Sequence, residues 1–171
     1  MRKTVKIVVS GDGGVGKTCF LNRLVHDKFN INSDLTKGVD FFSKSVSVNG
    51  TEYNFIMWDF AGQNHFRSLL NSFVDGLIAA FILFDLTRLN TLETVYEWIT
   101  KLSNYGNIPT LILGTKSDIT NLNDYSFLNE YISEIRKYYK NIIGYFDVSS
   151  KTGYNIKRAF DFLIEYISDC S

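Results

Sequence analysis

Two hydrophobic rhythms alternate along the chain. Short apolar runs bounded by glycine and polar residues predict strands, and apolar residues three and four apart predict helices. Val5-Lys6-Ile7-Val8-Val9 reads as a buried parallel strand. A glycine-rich turn follows, then a helix over Cys19–Asp27 with Phe20, Leu21, Leu24 and Val25 at helical spacing. Asn30 to Lys37 is polar and aperiodic, as a loop is. Val39–Val48 alternates in strand fashion, Asn49-Gly50 signals a hairpin turn, and Thr51–Asp59 is the return strand. Leu77–Asp85 is a buried strand and Thr91–Asn104 a helix. Pro109 opens a strand over Thr110–Gly114, and a helix runs from Asp124 to Lys140. Ile142–Val148 and Ile156–Ile167 are the last strand and helix. This order predicts an α/β fold: a mostly parallel six-stranded sheet with one antiparallel edge strand and helices on both faces. Ligands of such sheets bind in the loops at the carboxyl ends of the strands.

Composition adds bounds. The 171 residues, with 45% hydrophobic and 21% charged, suit one domain with a real core, spanning 1–171. Net charge is zero without a basic or acidic block, so nucleic acid is not an expected partner. The two cysteines, Cys19 and Cys170, form neither a disulfide framework nor a metal spacing, and a reducing, cytoplasmic setting is the default. Cys19 reads as a small packing residue. His26 and His65 read as exposed polar residues without a metal or catalytic role. No signal peptide is visible, and no apolar run approaches the roughly 18 residues that span a bilayer.

The chemistry starts at Gly11-Asp12-Gly13-Gly14-Val15-Gly16-Lys17-Thr18, a GxxxxGK[ST] phosphate loop between a strand and a helix. Glycines let several N–H groups close around a polyphosphate, and the new helix adds its N-terminal partial charge. Lys17 can reach the β- and γ-phosphates, and Thr18 can offer a hydroxyl to Mg²⁺. Trp58-Asp59-Phe60-Ala61-Gly62-Gln63 ends the third strand. Asp59 there can hold Mg²⁺ through a water, Gly62 can approach a terminal phosphate, and Gln63 can orient an attacking water. Thr36, in the polar loop, can complete the metal shell. Gly114-Thr115-Lys116-Ser117-Asp118 ends the fifth strand. A buried Asp118 accepts both donors of guanine's Watson–Crick edge and rejects adenine, while Lys116 packs its stem over the base. Val148-Ser149-Ser150-Lys151 presents backbone N–H groups to the guanine oxygen.

These motifs, in order and at family spacing, resemble the small GTPases of the Ras superfamily over nearly the whole chain. Lys37-Gly38-Val39-Asp40-Phe41 and the Trp58–Gln63 string, continuing to Phe66-Arg67-Ser68, are most similar to the Rab branch. The resemblance implies a GTP-hydrolysing switch in a P-loop G domain, with Mg²⁺ as cofactor and GTP or GDP as ligand. It implies nucleotide contacts at Gly13, Gly14, Val15, Gly16, Lys17, Thr18, Cys19, Phe29, Thr36, Gly62, Thr115, Lys116, Asp118, Ser149, Ser150 and Lys151. Catalysis falls to Gln63, Lys17 and Gly62, and the metal to Thr18, Thr36 and, through water, Asp59. Phe29 matches the aromatic that rests against guanine, and it reads also as a hydrophobic staple at a helix end. Phe41, Trp58 and Phe73 match the effector-facing aromatic trio of Rab proteins, and they read also as ordinary core. The implied partners are a GTPase-activating protein, an exchange factor and effectors, the switch being slow alone and a monomer.

Three departures stand out. Thr115 replaces the family's usual Asn, as in Rho-type members, which weakens affinity without removing guanine preference. The Trp58-Asp59-Phe60 string also resembles Roc domains, so a GTP-binding structural or dimerising module is the alternative. A P-loop kinase of a small acceptor is a further rival, opposed by the Asp59–Gln63 and Thr115–Asp118 motifs. Asp169-Cys170-Ser171 carries neither a C-a-a-X pattern nor a polybasic tail. Either a tail has been lost and the protein is membrane-peripheral, or it has no prenyl anchor.

Overall fold

The computed structural model describes residues 2–31, 34–60, 73–121 and 125–170. Six strands form one sheet in the order β2-β3-β1-β4-β5-β6: β1 is Arg2–Gly11, β2 Val39–Val48, β3 Thr51–Phe60, β4 Leu77–Asp85, β5 Thr110–Thr115 and β6 Ile142–Asp147. Only the edge strand β2 runs antiparallel to its neighbour; the other pairings are parallel. The β2–β3 hairpin has the expected bounds except that β3 runs one residue further, to Phe60. Its turn residues Asn49 and Gly50 have φ of 49° and 78°, the doubly positive geometry that a two-residue hairpin demands.

Among the described residues four helices pack on the sheet: α1 (Lys17–His26), α2 (Leu92–Ser103), α3 (Ser126–Tyr138) and α4 (Ile156–Asp169). Their packing divides the core in two. Alternate residues of β4 serve opposite faces, since successive side chains of a strand point apart. Ala79, Phe81 and Leu83 meet α1 and α4, whose contributions include Phe20, Leu24, Phe160 and Leu163. Ala80, Ile82 and Phe84 meet α2 and α3, which supply Val95, Trp98, Ile99, Leu128 and Ile132. In α4 the buried residues Ile156, Ala159, Phe160, Leu163, Ile164 and Ile167 follow the three–four spacing.

The elements differ from expectation mainly at their ends. β1 extends in both directions, because polar Arg2, Lys3 and Thr4 still pair with β3 and Gly11 with Leu83 of β4. α1 stops at His26, since Asp27 takes φ 53° and its N–H bonds the Arg23 carbonyl at 3.1 Å. A 3₁₀ turn, Leu89–Thr91, leads into α2. Asp124, the expected start of α3, lies outside the described residues.

Candidate functional site

A cleft of about 730 Å³ opens at the carboxyl ends of β1, β4 and β5. Its lining includes Gly13, Gly14, Val15, Gly16, Lys17, Thr18, Cys19, Phe29, Thr36, Thr115, Lys116, Asp118, Ser150 and Lys151. Asp59 and Ser149 sit behind that lining. Gly62 and Gln63 lie outside the described residues, as do His65 and Arg67.

The phosphate loop follows from its glycines. Gly11, Gly14 and Gly16 have φ of 143°, 69° and 100°, values that other residues adopt at a cost. At Gly11 space forbids a side chain as well, since a Cβ would sit 2.2 Å from the Leu83 carbonyl oxygen. Gly16 in its left-handed conformation starts α1, whose first-turn N–H groups face the cleft. Lys17 is 5% exposed. It folds back over the loop and donates to the Gly11 and Asp12 carbonyls at 3.2 and 2.7 Å. The Asp12 carboxylate accepts the Gly13 N–H at 2.7 Å.

Three oxygen donors converge beside Lys17. The Thr18 and Thr36 hydroxyls are 2.6 Å apart, Thr18 donates to Asp59 Oδ2, and Thr36 lies 3.4 Å from that oxygen. Asp59 is fully buried. Burial, aided by the nearby Asp40 carboxylate, pushes its carboxyl above the usual range, against the pull of the Thr18 and Thr36 hydrogen bonds and of the Lys17 charge. Asp59 Oδ1 is buried without a hydrogen-bond partner among the described residues. A carboxylate with an unpaired oxygen and two hydroxyls form the hard-oxygen set that Mg²⁺ prefers, with its remaining positions left to water and phosphate.

The other end of the cleft is built from β5 and the loop after β6. Thr115 is buried, and its hydroxyl lies 2.6 Å from the Val15 carbonyl and 3.0 Å from that of Phe84. Lys116 takes φ 62° and sends its ammonium to Asp85 at 2.6 Å and towards the Gly14 carbonyl at 3.4 Å. Asp118 is exposed, whereas strong rejection of adenine requires it buried. Its Oδ1 accepts the Ser149 hydroxyl at 2.6 Å. Ser149 itself is fully buried and its N–H already donates to the Tyr154 carbonyl at 3.0 Å. Ser149 therefore orients Asp118 and does not face the cleft, which leaves Ser150 and Lys151 at the surface of that loop.

Two arginines escaped the sequence reading. Arg23 of α1 donates to the Ser150 and Lys151 carbonyls at 2.6 and 2.7 Å and pairs with Asp27 at 2.9 Å, so it clamps the loop after β6. Arg88, just past β4, lines the cleft and donates to the Gly13 carbonyl at 3.0 Å. Both partners are backbone oxygens far away in the chain, and such bonds leave no sequence pattern. Exposed apolar side chains also rim the cleft, with Phe29 36%, Ile31 78%, Leu35 64% and Ile119 64% exposed.

The aromatic trio lies on a different surface. Phe41 and Trp58 meet edge-on with centroids 4.9 Å apart, and Trp58 and Phe73 at 4.8 Å. Phe41 is 60% exposed, while Trp58 and Phe73 are half-buried against the core. Lys6 places its ammonium 4.0 Å from the Trp58 ring centroid. The two readings of the trio therefore divide by residue: Phe41 is surface, and the other two rings join surface to core.

Fold and cleft together define a P-loop G domain of the Ras-like class. The chain belongs to the Ras family, whose model matches residues 6–169. Among curated relatives it is similar to Ras-related protein Rab-2B of Dictyostelium discoideum, 33% identical over 165 residues, which cover 95% of this chain and 79% of that protein. It is similar to Rab-32A of the same organism, 36% identical over 172 residues covering 95% and 77%. Ras-related protein YPTC6 of Chlamydomonas reinhardtii is 29% identical over 166 residues covering 95% and 74%. The protein is thus a Rab-like small GTPase of the Ras superfamily. Among the described residues no helix is long and apolar enough to cross a membrane.

Proposed function

We propose that the chain is one G domain that binds GTP and GDP with Mg²⁺, hydrolyses GTP slowly, and changes its partners between the two states, in membrane traffic as the Rab names of its relatives suggest. The observation that carries this reading is the meeting of Thr18, Thr36 and Asp59 at the end of a glycine-lined phosphate loop whose other wall carries Asp118. In it, the loop N–H groups and Lys17 hold the polyphosphate, and Phe29, Lys116 and Asp118 hold the guanine. Ser150 and Lys151 supply the N–H groups for the guanine oxygen. Thr18 and Thr36 would hold Mg²⁺ directly and Asp59 through water, and the metal would supply charge neutralisation beside the β- and γ-phosphates. Gln63 orients the water for in-line attack, and Gly62 meets the γ-phosphate. Thr36 joins the phosphate end to the loop before β2, so loss of the γ-phosphate releases that loop and the segment after β3. An activating protein supplies a stabilising arginine, an exchange factor opens the metal end, and effectors read Phe41, Trp58 and Phe73.

Titration with fluorescent GDP, GTP and ATP, followed by single-turnover hydrolysis over hours, tests this. Guanine nucleotides should bind far more tightly than ATP, and Gln63→Leu should keep GTP binding while losing most turnover. Equal affinity for ATP and GTP would overturn the reading.

A further inference from the structure

A phosphate loop works only if its N–H groups point inward, and a peptide plane has two ends. Holding a carbonyl outward turns the N–H of the following residue the other way. Three successive loop carbonyls are held by side chains. Gly13 O accepts from Arg88 Nη2 at 3.0 Å, Gly14 O lies 3.4 Å from Lys116 Nζ, and Val15 O accepts from Thr115 Oγ1 at 2.6 Å. The N–H groups at the other ends of these peptides belong to Gly14, Val15 and Gly16.

Arg88 has a fixed seat. Its Nε donates to Asp85 Oδ2 at 2.9 Å, and the same oxygen takes Lys116 at 2.6 Å. Asp85 Oδ1 accepts the N–H and hydroxyl of Thr87 at 2.9 and 2.6 Å. Asp85 is fully buried. Burial works against its charge, yet the hydrogen bonds from Lys116, Thr87 and Arg88 outweigh it and hold the carboxyl below its usual range. A buried anion with every oxygen engaged thus anchors two cations that grip neighbouring carbonyls.

We infer that Arg88 is a positioning residue of the phosphate cradle. Its charge-assisted bond to the Gly13 carbonyl, anchored on Asp85, fixes the Gly13–Gly14 peptide so that the Gly14 N–H is preset for a β-phosphate. The bond also polarises that peptide and strengthens the N–H as a donor. The inference rests on the nucleotide reading above. Arg88 acts through the backbone: its Nε is committed to Asp85 and its Nη2 to a carbonyl. The loop needs such a brace, because Gly14 at φ 69° is a glycine with no side chain to lock it. A Cβ there would meet Arg88 Nη2 at 3.5 Å.

The test compares Arg88→Ala and Arg88→Lys with the parent. The Arg88 side chain is 44% exposed, so both variants should fold, and a thermal melt checks this. Release of fluorescent GDP is followed by stopped flow, competition compares GDP with GMP, which lacks a β-phosphate, and the Gly14 amide is followed by NMR in the GDP-loaded protein. Arg88→Ala should release GDP about tenfold faster, the scale of one lost charge-assisted hydrogen bond. GMP affinity should stay as it is, and the Gly14 amide proton should move upfield. Arg88→Lys should recover part of each change. Unchanged GDP release with an unmoved Gly14 resonance would overturn the inference. So would slower single-turnover hydrolysis at unchanged GDP affinity, which would make Arg88 a phosphate-contacting catalytic residue. A parent that binds no guanine nucleotide would sink the underlying reading as well, whereas a variant identical to a GDP-binding parent sinks only the role of Arg88.

Discussion

Thr115→Val isolates one hydrogen bond at the centre of the site. The two side chains have nearly the same shape, so no cavity opens and no packing is lost. What disappears is a hydroxyl proton. Thr115 is 2% exposed, and its hydroxyl has the Val15 carbonyl at 2.6 Å and the Phe84 carbonyl at 3.0 Å. One proton serves one acceptor at a time, and the shorter contact claims it. Val15 is fully buried, so water cannot readily replace the lost donor. Leaving a buried carbonyl without that partner costs about 1–3 kcal/mol. For a domain of this size a loss of about 2 kcal/mol lowers the melting temperature by roughly 4–8 °C.

The same substitution should reach the nucleotide. The Val15 carbonyl shares its peptide with the Gly16 N–H, one of the donors that the proposed function assigns to the phosphates. Release of fluorescent GDP should therefore speed up about tenfold, as expected when a fraction of the lost bond energy is felt by the ligand. Thr115→Ser keeps the hydroxyl and should stay close to the parent in both assays. Two measurements decide it: a melt of the nucleotide-free protein and a stopped-flow release experiment. A Thr115→Val melt within about 1 °C of the parent, with unchanged GDP release, would refute the tether and the magnitude drawn from it.

Other predictions concern the base, the metal and the aromatic surface. Asp118→Asn should shift preference from guanine to xanthine nucleotides, because xanthine offers an acceptor where guanine offers a donor; competition binding reads this, and retained guanine preference counts against Asp118 as the base reader. Asp59 has its carboxyl raised by burial above 3.8, so the fold favours its protonated form: that contribution is full below the unfolded value and is lost as pH rises through the folded one. Mg²⁺ affinity should accordingly fall as pH drops through that range, and metal-free Asp59→Asn should gain stability over the parent as pH rises through it; a metal titration and urea melts that show no pH dependence would contradict this. Phe41→Ala, at a side chain 60% exposed, should leave nucleotide affinity and melting nearly unchanged while weakening an effector by more than about tenfold. Trp58 emission, isolated by Trp98→Phe, should change when GDP is exchanged for a GTP analogue, and identical spectra would speak for a purely structural trio.

How much of this was legible in the chain depended on whether a residue's partner leaves a pattern. The hairpin turn was legible to the residue, since Asn49-Gly50 demands one turn geometry and the flanking strands alternate, and only the end of β3 lies one residue further on. That Thr18, Thr36 and Asp59 come together was legible from the phosphate-loop motif, the Trp58–Gln63 string and the Thr36–Phe41 string, and the three side chains do converge. The polar ends of β1 were not, because Arg2, Lys3 and Thr4 pair through backbone and carry no hydrophobic signal. Arg23 and Arg88 were invisible for a related reason: each is a lone arginine whose targets are carbonyls 127 and 75 residues away. Ser149 departs from what its motif implies. Its place in the motif suggests a cleft-facing N–H, and only the folded turn shows that N–H spent on Tyr154.

The four residues Thr115-Lys116-Ser117-Asp118 serve both ends of the cleft, and their geometry explains how. Thr115, the last residue of β5, is still in sheet register and reaches the phosphate loop beside it. Lys116 then takes φ 62°, and a 3₁₀ turn over Ser117–Ile119 reverses the chain. That reversal carries Asp118 away from the phosphate loop and across to Ser149 of the next loop, while the Lys116 ammonium stays behind on Asp85. A left-handed residue without glycine is costly, and the bonds that hold this one include Lys116 Nζ to Asp85 and, at the Lys116 carbonyl, the Thr120 hydroxyl at 2.8 Å and the Ile119 N–H at 3.2 Å. The tether of the glycine-rich loop and the residue proposed to read the base therefore share one short turn. A substitution anywhere in it should disturb both ends, so a change in base preference at Asp118 is interpretable only beside a measurement of phosphate-end affinity, and a change in GDP release at Thr115 only beside one of base preference.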